Sequence, residues 1–116
     1  MTTKTRDTPD AVPLGAFEEQ VMLAVLRTDP EAYGMAIRRE LERVTGRSLA
    51  IGSVYVTLDR LESKGLVTSA RVRRDDAGSR RVFAVTTAGA RALADTRAMR
   101  DRLWRGVQLP SRPRGR

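Results

Sequence analysis

The sequence contains no cysteine and no histidine. The first absence excludes disulfides, thiolate metal sites and thiol nucleophiles. The second removes the commonest metal ligand and the commonest general base at neutral pH. Lysine is confined to Lys4 and Lys64, and the acidic residues form no outstanding cluster. Catalysis is therefore not expected, nor is a metal or any other cofactor. Aromatic residues make up only 4% of the chain, too few for a surface that binds single strands by stacking several bases. Long apolar runs are also missing. Val21 to Leu26 is the longest, far short of the roughly 20 residues of a membrane span. Met1 to Asp10 is polar and lacks the apolar core of a signal peptide. The expectation is a cytoplasmic protein with no membrane partner.

What the chain does have is arginine. All but two of its 22 basic residues are Arg, and the net charge is +8 over 116 residues. That length suits one domain with a modest core. A basic small domain commonly has a polyanionic partner. Arg both neutralises phosphate and reads guanine edges.

The apolar pattern divides the chain into elements. Phe17, Val21, Ala24 and Val25 recur at helical spacing, with Met22, Leu23 and Leu26 widening the apolar surface. A helix apolar on most sides predicts a central position. Asp29-Pro30 reads as the start of a second helix that ends at Gly46, with Ile37, Leu41 and Val44 as its buried stripe. Ser48 to Ile51 reads as a short extended segment. Gly52-Ser53 opens a third helix, in which Val54, Leu58 and Leu61 form a clean inward stripe. Leu66 to Arg73 and Arg81 to Val85 alternate around Asp75-Asp76-Ala77-Gly78-Ser79, which predicts a β-hairpin. Thr86 can cap a last helix, running from about Thr87 to Val107.

This order predicts a mainly α fold, a winged helix-turn-helix of three helices and a two-stranded wing, followed by a long C-terminal helix. The expected division is a flexible arm over residues 1–13, the winged domain over 14–86, a dimerisation helix over 87–107 and a basic, disordered tail over 108–116.

The stretch Ile51-Gly52-Ser53-Val54-Tyr55-Val56-Thr57-Leu58-Asp59-Arg60-Leu61-Glu62-Ser63-Lys64-Gly65-Leu66-Val67 resembles the helix-three motif of the PadR family of transcriptional regulators. Ala32-Tyr33-Gly34-Met35-Ala36-Ile37 is similar to the family's start of helix two. Arg80-Arg81-Val82-Phe83-Ala84-Val85-Thr86-Thr87-Ala88-Gly89 is similar to its second wing strand and the turn that follows. The resemblance extends from about Leu14 to Ala94. Many members carry His-Gly-Tyr where this chain has Tyr33-Gly34, and Pro where it has Thr87. The resemblance implies a homodimeric repressor that binds a two-fold symmetric operator in double-stranded DNA. It also implies that Tyr55 lies at the DNA-facing surface.

On a helical wheel Ser53, Val56, Thr57, Arg60 and Ser63 point away from the stripe, with Tyr55 on one flank. Arg60 can reach a guanine or a phosphate, Ser53 and Thr57 can donate to phosphate, and Val56 can meet a thymine methyl. In the wing, Arg71, Arg73, Arg74, Arg80 and Arg81 outnumber Asp75 and Asp76, so phosphate contact is expected there. Ala88, Ala92, Thr96, Met99, Leu103 and Val107 form one long stripe on the last helix, expected to meet a second copy. Trp104 lies at its edge. It suits the dimer core or, as the resemblance implies for some members, a wall for a small aromatic effector, with Met99 and Phe17 as further lining. The alternative to a DNA-binding regulator is a winged-helix protein-interaction module.

Overall fold

The computed structural model describes residues 13–74 and 78–111. Helix α1 spans Ala16–Thr28, α2 Gly34–Thr45 and α3 Ile51–Ser63. Strands β1, Val67–Arg73, and β2, Ser79–Val85, follow, and α4, Thr87–Trp104, closes the order. Four helices and a two-stranded antiparallel wing make this a winged helix fold. No helix among the described residues is long and apolar enough to cross a membrane.

The core forms where the helical stripes meet the base of the wing. Val54, Leu58 and Leu61 of α3 are fully buried, as their spacing predicts. They join Val21, Met22 and Val25 of α1, Ile37 of α2, Val67 of β1 and Phe83 of β2. Each such side chain contributes about 1.5–3 kcal/mol by leaving water. Salt links brace the outside of this core. Glu40 of α2 accepts from Arg27 of α1 at 2.6 Å and from Arg43 at 2.7 Å. Arg43 and Arg27 together lower its carboxyl to about 2. Lys64 at the end of α3 donates to Glu18 at 2.8 Å.

Four local expectations need correction. The second helix begins at Gly34, not beside Pro30. The carbonyl of Ala32 is engaged by the Phe83 N–H at 2.8 Å, and Tyr33 bridges Val82. Residues 32–33 thus extend the edge of the wing sheet instead of starting a helix. Val44 is exposed rather than part of the buried stripe. Residues 46–50 contain no strand. Gly46 turns the chain at φ 74°, Leu49 N–H is capped by Glu42 Oε2 at 2.8 Å, and α3 starts at Ile51 itself. Helix α4 ends at Trp104, before Val107.

The hairpin pairs Val67 with Val85, Ser69 with Phe83 and Arg71 with Arg81. Its mouth closes through Arg74 N–H to the Gly78 carbonyl. Residues 75–77 of the expected turn, most of the expected N-terminal arm and residues 112–116 of the tail lie outside the described residues. Thr86 caps α4 as expected, its hydroxyl accepting from Gly89 N–H at 3.0 Å. The first half of α4 lies on its own domain. Gly89, Leu93 and Thr96 are buried, Leu14 N–H donates to Thr96 Oγ1 at 3.1 Å, and Arg100 pairs with Glu19 at 2.6 Å.

Candidate nucleic-acid interface

Three elements build one basic face: the N-terminal end of α2, the outward side of α3 and the wing. On α3, Ser53, Val56, Arg60 and Ser63 are exposed, Val56 to 57%. These residues offer a row of hydroxyls, a branched methyl pair and one long donor. Thr57 departs from the helical-wheel reading. It is only 5% exposed, so it is part of the buried side of α3 and not of its exposed face. A wheel cannot register that neighbouring elements cover this flank.

Tyr55 is half-buried and lies against the first residue of α2. A methyl group added at Gly34 would sit 2.3 Å from both Cζ and the hydroxyl of Tyr55. Glycine at position 34 is thus what lets the end of the tyrosine ring approach α2 so closely. Gly34→Ala is expected to cost about 1–3 kcal/mol through this overlap. Adding Tyr55→Leu, which removes the overlapping atoms, is expected to recover most of that loss in thermal melting. A double variant no more stable than Gly34→Ala alone would show that the ring is not the obstacle.

The wing arginines divide by what they touch. Arg71 and Arg73 are exposed and have no ion-pair partner among the described residues. Arg80 stacks on Tyr33, its guanidinium carbon 4.1 Å from the ring centroid. Arg74 pairs with Glu31. Arg81 turns back toward α3 and pairs with Asp59 at 2.9 Å and Glu62 at 2.7 Å.

Between α2, Tyr55 and the wing lies an open cleft of about 560 Å³. Arg39, Arg71, Arg80 and Arg81 line it together with Tyr33 and Tyr55, and no carboxylate among the described residues does. Arg39 donates to the Tyr33 hydroxyl at 3.1 Å. Arg80, and then Arg39, hold the Tyr33 phenol below the usual tyrosine range. The arrangement suits an anion with several oxygens, such as a phosphodiester.

Sequence reasoning missed Arg39 and Tyr33 as members of this cleft. No local spacing marks them, because strand β2 brings Arg80 to them from far along the chain. Arg39 is six residues from Tyr33, which is not a helical neighbour spacing.

The residues expected at a dimer seam fall into two groups. Thr96 is only 3% exposed and bonded to Leu14 within the same chain, so it faces inward and not toward a partner. Ala92 and Met99 are half-buried, and Ala88, Leu103 and Val107 are exposed. Trp104 is 56% exposed, while Phe17 packs against the core. The cleft between α1 and α4 is lined by Leu23, Leu26, Ala90 and Leu93, and not by Phe17, Met99 or Trp104.

Comparison with known proteins places this geometry. The model of the transcriptional regulator PadR-like family matches residues 22–95. The chain is 39% identical over 79 residues to transcriptional regulator Rv3488 of Mycobacterium tuberculosis, a match covering 68% of this chain and 72% of the relative. The structure of H. salinarum RosR aligns with a TM-score of 0.66 at 28% identity, covering 84% of each chain. A PadR family transcriptional regulator from Eggerthella lenta aligns with a TM-score of 0.62 at 28% identity, covering 74% of this chain and 75% of that one.

Proposed function

The chain belongs to the PadR-like family of transcriptional regulators, and from that premise we propose that it binds double-stranded DNA as a homodimeric repressor in the cytoplasm. Helix α3 enters the major groove with Ser53, Val56, Arg60 and Ser63 toward base edges and nearby phosphates. The wing and Arg39 hold the flanking backbone. One observation carries this reading above others: a cleft lined by Arg39, Arg71, Arg80 and Arg81 opens beside Tyr55 of α3.

The homodimer is supported by apolar surface that one chain leaves uncovered. Leu23 and Leu26 of α1 face outward, and Leu103, Trp104, Val107 and Leu109 are exposed at and beyond the end of α4. A second copy covering these side chains would set two α3 helices about one DNA turn, roughly 34 Å, apart. Release by a flat aromatic effector at Trp104 belongs to the same reading, since an indole that one chain leaves 56% exposed at the edge of the seam offers a stacking face.

Selection from random duplex DNA with the purified protein tests this directly. The expected result is an enriched site with two-fold symmetry and half-sites about one turn apart. Recovery of unenriched sequence, with binding that vanishes at moderate salt, would overturn it in favour of non-specific association or a protein-interaction role.

A further inference from the structure

Arg81 was expected among the phosphate contacts, yet its guanidinium is already engaged. Nη2 donates to Asp59 Oδ1 at 2.9 Å and to Glu62 Oε1 at 2.7 Å, and Nε donates to Ser69 Oγ at 3.2 Å. The Ser69 hydroxyl in turn donates to Glu62 at 3.0 Å. The Arg81 guanidinium carbon also lies 4.7 Å from the centroid of the Phe83 ring. One side chain therefore ties α3 to both strands of the wing.

The geometry assigns Arg81 a positioning role: with Glu62, Asp59 and Ser69 it fixes the angle of the wing against the reading helix, and it does not itself grip DNA. This rests on the proposed DNA-binding function. Beyond Val67 and Phe83 the strands leave the core, and Thr68, Ala70, Arg71, Val72 and Arg73 are exposed. One edge of the wing is held by the Tyr33–Val82 bridge. The face toward α3 is held by the Arg81 network. A lone surface ion pair would hold little. Here the Arg81 and Glu62 side chains are only 31% and 33% exposed and share a third partner, which favours a defined geometry. Arg81 also lowers the Glu62 carboxyl below its usual range, followed by Ser69. One guanidinium thereby offsets part of the negative charge that Asp59 and Glu62 place beside the proposed DNA-binding face.

Two measurements separate positioning from contact. The first needs no DNA. Because the chain lacks cysteine, paired labels at Ser63→Cys and Val72→Cys can report the distance from helix to wing tip, with labelled protein diluted in unlabelled chain. Glu62→Gln and Arg81→Lys are each expected to broaden that distance distribution. A distribution left narrow by both would overturn the proposal. Glu62→Gln is nearly isosteric, so it keeps the test open if Arg81 variants fold poorly.

The second measurement uses the duplex that the wild-type protein selects. Removing a negative charge near DNA should strengthen binding if electrostatics alone acts. Positioning predicts the opposite sign, with Glu62→Gln weakening binding about tenfold, in the range of one lost hydrogen bond to a charged group. Arg81→Lys, which keeps the charge but loses the planar fork, is expected to weaken binding similarly. Tighter binding by Glu62→Gln, or wild-type affinity and salt dependence in Arg81→Lys, would overturn the assignment. If no duplex is selected, the DNA-binding reading fails, and the label distances still decide whether Arg81 sets the wing.

Discussion

Replacing Arg39, Arg71 and Arg80 together by alanine is expected to remove nearly all DNA affinity at physiological salt while the domain stays folded. These three line the cleft from α2 and both wing strands, and none is paired with a carboxylate among the described residues. Each phosphate neutralised releases counterions, with a slope of about −0.9 in log affinity against log salt. If all three touch phosphate in both copies of a dimer, the slope should fall by about 5. The affinity loss should reach roughly a thousandfold or more, within the range seen when several phosphate contacts weaken together. The folding cost is small by comparison. Arg39 and Arg80 lie over the ring of the half-buried Tyr33, and cation–π contacts near the surface contribute about 0.5–1 kcal/mol. Two such contacts total about 1–2 kcal/mol, so the melting temperature should fall by roughly 4–16 °C on the scale of about 4–8 °C per kcal/mol for a small domain. Arg43→Ala is the matched control, because Arg43 is engaged by Glu40 away from this cleft. An unchanged salt slope in the triple variant would show that the cleft does not hold the DNA backbone.

What the sequence reveals of this surface depends on range. Within one helix, the spacing of Val54, Leu58 and Leu61 is sufficient to predict their burial, because the period of the helix decides it. The Thr86 cap is legible for the same reason, since it satisfies a donor three residues away. Asp29-Pro30 misleads because its local chemistry favours a helix start. A bond from Phe83 to Ala32 decides otherwise. Thr57 misleads because a wheel has two sides, whereas α3 is embedded on more than one. The arginine cleft is the extreme case. Tyr33, Arg39, Tyr55 and Arg80 come from three elements, and no window of sequence contains them all. Composition pointed to a polyanionic partner, and tertiary packing decides which arginines share the cleft. Arg81 shows the reverse, since its sequence neighbourhood suggests a contact and its partners make it a brace.

Gly89→Ala is expected to destabilise the domain strongly, although alanine is the better helix former. Gly89 lies in the first turn of α4, where its N–H is capped by Thr86. A Cβ there would sit 2.0 Å from the Leu66 carbonyl oxygen and 2.9 Å from Val85 Cγ1. The carbonyl is backbone and already accepts from Thr86 N–H at 3.1 Å, so it has no rotamer by which to withdraw. Helix propensity offers at most about 1 kcal/mol in favour of alanine. Overpacking typically costs about 1–3 kcal/mol and more when backbone must shift, so the net effect is a loss. Gly52→Ala gives the contrast. Gly52 also lies in a first helical turn, but nothing surrounds its missing Cβ within 4 Å. That substitution should stabilise by about 0.4–1 kcal/mol. The two variants should thus melt on opposite sides of the wild type, compared at one protein concentration because an oligomer's melting depends on it. A Gly89→Ala protein melting at or above the wild type would refute the close approach of α4 to the base of the wing. That approach matters for regulation as well as stability. The root of α4 rests on Leu66, just before the first wing strand, while exposed apolar side chains lie at its far end. In the proposed dimer, a shift at position 89 would therefore also change the spacing between the two copies of α3.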